Sequence, residues 1–162
     1  MNVDAADLVA KMVSTHATVA TAESLTGGQL ASIFTAVPGS SECFLGGVVA
    51  YETRVKVSVL GVDAAVVEEH GVVSAECAAQ MATRVRTLFG ATYGLATTGV
   101  AGPTSQEGHP PGHVWVACAG PEGVTTALLE LAGDRAAVQA RSCRGALTML
   151  GGLIHREDPV LG

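Results

Sequence analysis

The chain reads as an α/β protein, a three-layer α/β/α sandwich around a mixed, mostly parallel sheet. Three observations predict this. Short apolar or β-branched runs alternate with helical patterns through the first two-thirds of the sequence, as parallel strands joined by crossover helices do. Two strand-like runs then flank Gly120-Pro121-Glu122-Gly123, a hairpin signal that makes the sheet mixed. The 162 residues are 48% hydrophobic and only 15% charged, a composition that forms a core instead of staying disordered.

Taken in order, Leu8, Val9, Met12 and Val13 recur at helical spacing across residues 4–15. Thr18 to Ala22 is a β-branched run and the first strand. Ser24-Leu25-Thr26-Gly27-Gly28 opens a second helix, expected to reach Ala36 before Pro38-Gly39 breaks it. Phe44 to Tyr51 is the second strand, and Glu52 to Leu60 a short helix stopped by Gly61. Asp63 and Ser74 are N-cap residues for helices ending near His70 and Leu88. Tyr93 to Thr98 is the third strand, and Thr104 to Gly112 is a polar surface loop. His113 to Ala119 and Val124 to Leu131 form the hairpin. Gly133-Asp134-Arg135 starts a last helix that runs to about His155, with the tail from Glu157 expected to fray. No internal repeat or linker divides the sequence, so residues 1–162 read as a single domain.

Bulk properties exclude several function classes. A net charge of −6 argues against binding a nucleic acid backbone, which needs clustered Lys and Arg. A small phosphorylated ligand remains open, because one Arg and a helix start can hold a single phosphate. No apolar run is long enough to span a membrane. The opening MNVDAADLVAKMV carries early acids and lacks the basic start of a secretory signal, so a cytoplasmic location is expected. Cys43, Cys77, Cys118 and Cys143 are scattered and read as buried small apolar residues. The five isolated histidines form no metal-ligand spacing, so no metal is expected. An apolar, weakly aromatic chain of low charge is compatible with a homo-oligomer of unspecified symmetry.

Ligands of open α/β sheets sit beyond the carboxyl ends of the strands. Three motifs fall there. AESLTGG, Ala22 to Gly28, places Ser24, Thr26 and Gly27 at a helix start, where N–H groups favour an anion or a carbonyl oxygen, unless Ser24 is simply the N-cap. TTGVAGP, Thr97 to Pro103, offers Thr98 as a hydroxyl and Gly99, Ala101 and Gly102 for close backbone approach to a ligand. The third lies around the second strand. There, Gly39 to Lys56 (GSSECFLGGVVAYETRVK) joins paired serines, a tyrosine and a lysine in a chain with only two tyrosines and two lysines. Arginine stays protonated in proteins, whereas a desolvated lysine can become a neutral base. Ser40 or Ser41 with Lys56, oriented by Tyr51, is therefore a candidate Ser-Lys pair, set against an ordinary Pro-Gly-Ser turn. Arg135, at a helix start, is a candidate phosphate clamp or a partner of Asp134 or Glu130.

The ordered set AESLTGG, PGSS…GGVVAY…K, LGV, HGVVSAE, TTGVAGP, PGHVWVA and GDR resembles the CinA C-terminal domain family over roughly Leu8 to Leu153. That family includes stand-alone nicotinamide mononucleotide amidohydrolases. The resemblance implies an α/β/α sandwich and metal-free hydrolysis of the nucleotide's carboxamide to nicotinic acid mononucleotide and ammonia, with no cofactor. It places the catalytic serine at Ser41, with Tyr51, Lys56 and Thr98 beside it, and carries Arg135 and Arg141 as phosphate candidates. Leu25 stands where the family often has cysteine, His113 where threonine is common, and Gln139 where a basic residue is common. Two other functions stay open. One is hydrolysis of another small amide. The other is a non-catalytic nucleotide-binding module in competence or the DNA-damage response.

Overall fold

The structure is a computed structural model and describes residues 3–156; the expectation for the tail from Glu157 lies outside the described residues. The elements are α1 (Ala5–Ser14), β1 (Val19–Glu23), α2 (Gln29–Thr35), a 3-10 turn (Ser40–Glu42), β2 (Phe44–Val49), α3 (Thr53–Ser58), α4 (Ala64–His70), α5 (Ala75–Phe89), β3 (Tyr93–Gly99), β4 (His113–Gly120), β5 (Gly123–Glu130) and α6 (Arg135–Arg156). The five strands form one sheet in the order β2-β1-β3-β4-β5. β1 is parallel to both β2 and β3, β3 is antiparallel to β4, and the β4–β5 hairpin completes the mixed sheet. No helix among the described residues is long and apolar enough to cross a membrane.

Strand alternation sends side chains to two cores. One packs Val19, Leu95, Val114, Val116 and Cys118 against Met12 of α1, Leu30 and Phe34 of α2, and Val138, Ala146 and Leu150 of α6. The other is lined by small residues: Ala20, Ala22, Ala96 and Ala117 meet Ala78, Met81, Ala82 and Val85 of α5. Small side chains on both surfaces let α5 lie close to the sheet. All four cysteines are buried and free, as expected of small apolar residues. Asp63 and Ser74 cap α4 and α5, accepting from Ala65 N–H at 2.9 Å and Cys77 N–H at 3.1 Å.

With β1 between β2 and β3, the connection from β1 to β2 runs to one side and the return from β2 to β3 crosses to the other. This makes a topological switch point at the carboxyl end of β1. The register sets Glu23 beside Val49 and Thr97, so the segments after β1, β2 and β3 converge there. β5 ends at the same edge, with Glu130 opposite His113, and delivers α6 and Arg135 to it.

The second helix differs from expectation. It begins at Gln29, not Ser24, because Gly27 and Gly28 take left-handed conformations (φ +57° and +102°) that end in a turn. Ser24 is not its N-cap. The buried carboxylate of Glu23 fills that role, accepting from the N–H groups of Gly28 (3.2 Å), Leu30 (2.8 Å) and Ala31 (3.0 Å). Glu23→Ala leaves these donors without their acceptor, and each orphaned buried donor costs about 1–3 kcal/mol. Urea unfolding should show a loss of roughly 3 kcal/mol or more; a loss under about 0.5 kcal/mol, the surface-residue range, would contradict this role.

Candidate active site

Lys56 is 1% exposed, a rare state for lysine. After β2 the chain turns into α3, whose last turn carries Lys56 back over the end of the strand. Its ammonium Nζ donates to the Ala50 carbonyl at 2.7 Å, the Tyr51 carbonyl at 3.2 Å and Ser24 Oγ at 2.9 Å. Ser24 sits just past β1, where its N–H donates to the Thr97 carbonyl at 3.0 Å. Burial lowers the Lys56 pKa, opposed in part by the Cys77 thiol and the Glu107 carboxylate. The Cys77 thiol is itself pushed up to about 11, chiefly by burial.

The contacts accommodate either charge state of the amine. A protonated lysine has three N–H donors for these three acceptors. A neutral lysine, with two donors and one lone pair, can give both N–H groups to the carbonyls and turn its lone pair toward Ser24 Oγ–H. Burial shifts the balance toward the neutral form, the form in which a lysine can serve a serine as base.

Ser24 opens onto a cleft of about 320 Å³ at the sheet edge, within the size range of small-ligand sites. Its surface is mostly polar: Thr98, Gly99, Ala101, Gly102, Thr104, Ser105 and Gln106 line it, with Leu25, Val72, Val73 and Val100 lining it but largely buried. Tyr51 and Arg135 stand at the rim. Arg135 donates to the Gly102 carbonyl at 2.7 Å and to the Tyr51 hydroxyl at 2.8 Å. Thr98 is buried and donates to the Val72 carbonyl at 2.7 Å. Among the described residues, no group of three or more His, Cys, Asp or Glu is placed to hold a metal ion.

Several expected site residues are therefore together: Lys56, Ser24, Thr98, Gly99, Ala101, Gly102, Tyr51 and Arg135. Others are not. Ser41 lies in the 3-10 turn before β2, whereas Lys56 caps the far end of that strand. Six extended residues hold them roughly 17 Å or more apart along the strand. Ser24, not Ser41, is the serine within reach of Lys56. Tyr51 touches Lys56 through its carbonyl, while the residue is 59% exposed and its hydroxyl faces Arg135. Thr26 is buried outside the cleft and pairs with Thr97 Oγ1 at 2.8 Å. Gly27 is exposed beside it, and the helix start there is occupied by Glu23. Arg141 donates to the Ala132 carbonyl and lines a separate groove between β5 and α6. Gln139, in the position where a basic residue was expected, donates instead to the Leu25 carbonyl at 2.8 Å.

Sequence reasoning missed Glu23 and Glu107. A lone acid closing an otherwise buried run was the available signal for Glu23. Glu107 sits in a polar loop, where acids are ordinarily solvated, and carried none.

Comparison with known proteins agrees with this architecture. Residues 3–154 match the family model described as the CinA C-terminal domain. A CinA-like protein of Frankia casuarinae is 48% identical over 155 residues, covering 93% of this chain and 36% of the relative. The chain thus spans about a third of the length of that relative. A CinA superfamily crystal structure from Escherichia coli superposes with a TM-score of 0.89 at 33% identity, covering 92% of this chain and 87% of that one. A second, from Klebsiella pneumoniae, gives 0.91 at 33% identity, covering 94% and 96%.

With its folded pKa below 10.5, Lys56 binds fewer protons in the folded chain than in the unfolded chain between those two values. Stability contributed by this residue therefore rises with pH across that window. Urea midpoints measured from neutrality toward pH 10.5 should show a gain in the wild type that is absent in Lys56→Met. Identical pH slopes in the two proteins would count against a depressed Lys56.

Proposed function

The chain belongs to the CinA C-terminal domain family, and we propose that it hydrolyses the carboxamide of nicotinamide mononucleotide, giving nicotinic acid mononucleotide and ammonia. The observation that carries this reading is the 2.9 Å hydrogen bond between buried Lys56 Nζ and Ser24 Oγ at the head of the cleft. Ser24 Oγ attacks the carboxamide carbon as its proton passes to neutral Lys56. The tetrahedral intermediate collapses when Lys56 returns that proton to the departing nitrogen, which leaves as ammonia. Water then attacks the acyl-Ser24 ester, giving a proton to Lys56, and the carboxylate product departs as Ser24 recovers its hydrogen.

The backbone around the cleft suits the remaining needs. The N–H of Leu25, directly after the nucleophile, and those of Gly99, Ala101 and Gly102 are candidate donors to the oxyanion, whereas that of Val100 is spent on the His113 carbonyl. One such donor is worth about 100-fold or more in rate. The mostly polar lining suits the carboxamide and the hydroxyls of a nucleotide. Arg135 at the rim, held by Gly102 and Tyr51, is the candidate for the nucleotide phosphate.

Ammonia release from nicotinamide mononucleotide by purified protein tests the reading. Ser24→Ala and Lys56→Arg are each expected to lose at least about 100-fold in rate, the latter because a guanidinium stays protonated. Ser41→Ala should retain near wild-type activity. Loss in Ser41→Ala with retention in Ser24→Ala would overturn the assignment. Turnover of other small amides in preference to the nucleotide would overturn the substrate but leave the dyad.

A further inference from the structure

We propose that Glu107 is a positioning residue of the Lys56–Ser24 site: its carboxylate latches the 103–112 loop onto the Gly71–Val73 turn, joining two walls of the cleft and setting the charge that Lys56 faces. The proposal rests on the reading of Lys56 and Ser24 as the catalytic pair.

The latch is built from both sides. Glu107 Oε1 accepts from Val72 N–H at 3.1 Å, and Oε2 accepts from Val73 N–H at 3.0 Å. The loop side is shaped to present it. Glu107 takes a positive φ of 51°, and Gln106 and His109 exchange backbone hydrogen bonds around it at 3.1 and 2.9 Å. The turn side is shaped to receive it. A Cβ on Gly71 would lie 2.5 Å from Glu107 Oε2, so only glycine leaves room for the carboxylate, and its φ of +77° also favours glycine.

Both latched segments line the cleft. The loop contributes Thr104, Ser105 and Gln106, and the turn contributes Val72 and Val73. The turn also accepts the Thr98 hydroxyl through the Val72 carbonyl. Releasing Glu107 would therefore loosen two walls and the seat of Thr98 together.

The carboxylate also acts at a distance on the base. Lys56 is faced by the Cys77 thiol from α5 and by Glu107 from the loop, and both favour its protonated form against the dominant effect of burial. Cys77, pushed up to about 11, is uncharged near neutral pH, which leaves Glu107 as the anion that moderates Lys56. A base is most effective with a pKa close to the working pH. The latch carboxylate counters part of the lowering that burial imposes on Lys56.

The test does not depend on turnover. Lys11 and Lys56 are the only lysines, so ¹³Cε-lysine labelling gives two signals, assigned with Lys11→Arg. In Glu107→Gln, which keeps the shape and removes the charge, Lys56 is expected to titrate at lower pH than in the wild type while Lys11 is unchanged. Amide exchange at Val72 and Val73 should speed up about tenfold in Glu107→Gln and further in Glu107→Ala, as charge-assisted hydrogen bonds are lost. In the amidase assay, the acid limb of the pH–rate profile moves to lower pH and KM rises. Unchanged Lys56 titration together with unchanged exchange at Val72 and Val73 would overturn the proposal. If the protein releases no ammonia from nicotinamide mononucleotide, the titration and exchange results still decide the latch, so the two failures are separable.

Discussion

The structure turns on one buried amine. Lys56 sits under the carboxyl edge of the sheet with its nitrogen shared by two carbonyls and a serine hydroxyl. Burial disfavours its charged form, and among the described residues no carboxylate touches it directly. In the neutral form the two carbonyls hold its N–H groups and turn its lone pair toward Ser24. Much of the local architecture can be understood as keeping that amine dry and its neighbours in register.

Three features of the fold accomplish this. β1 lies between two parallel neighbours, so the chain ends that follow β1, β2 and β3 meet at a single switch point. Glu23, the last residue of β1, spends its carboxylate on the start of α2 and so fixes the turn in which Ser24 stands. Glu107 performs a similar task from outside, gripping the 71–73 turn from a loop tied by the Gln106–His109 bridge. Two acids far apart in sequence thus both act by accepting backbone N–H groups near one serine and one lysine.

The fold was largely legible in the sequence because the signals for it are local. Caps at Asp63 and Ser74, the Gly-Pro breaks and the two hydrophobic periods each act over a few residues, and those elements lie where the patterns put them. The site was legible only in part. The carboxyl-edge loops were identified because parallel topology forces them together. The pairing within them was not, since Ser24 and Lys56 are 32 residues apart and meet only through the sheet. Ser40 and Ser41 were the candidates near Lys56 in sequence, with Ser41 singled out by the family resemblance, yet the residues between include an extended strand, which separates its ends as far as a chain can. Arg141 failed for a geometric reason too. It follows Arg135 by six residues, about 240° around a helix, and so points to another face. Glu23 and Glu107 bond backbone groups, and backbone partners leave no mark on residue type.

The account stands or falls on which serine carries the activated oxygen. The most direct measurement is reaction with a serine-directed fluorophosphonate followed by peptide mapping, in the wild type and in Lys56→Arg. A single adduct on the peptide containing Ser24, lost when Lys56 is replaced, is the predicted result. An adduct on Ser40 or Ser41, or labelling of Ser24 that is indifferent to Lys56, would contradict it.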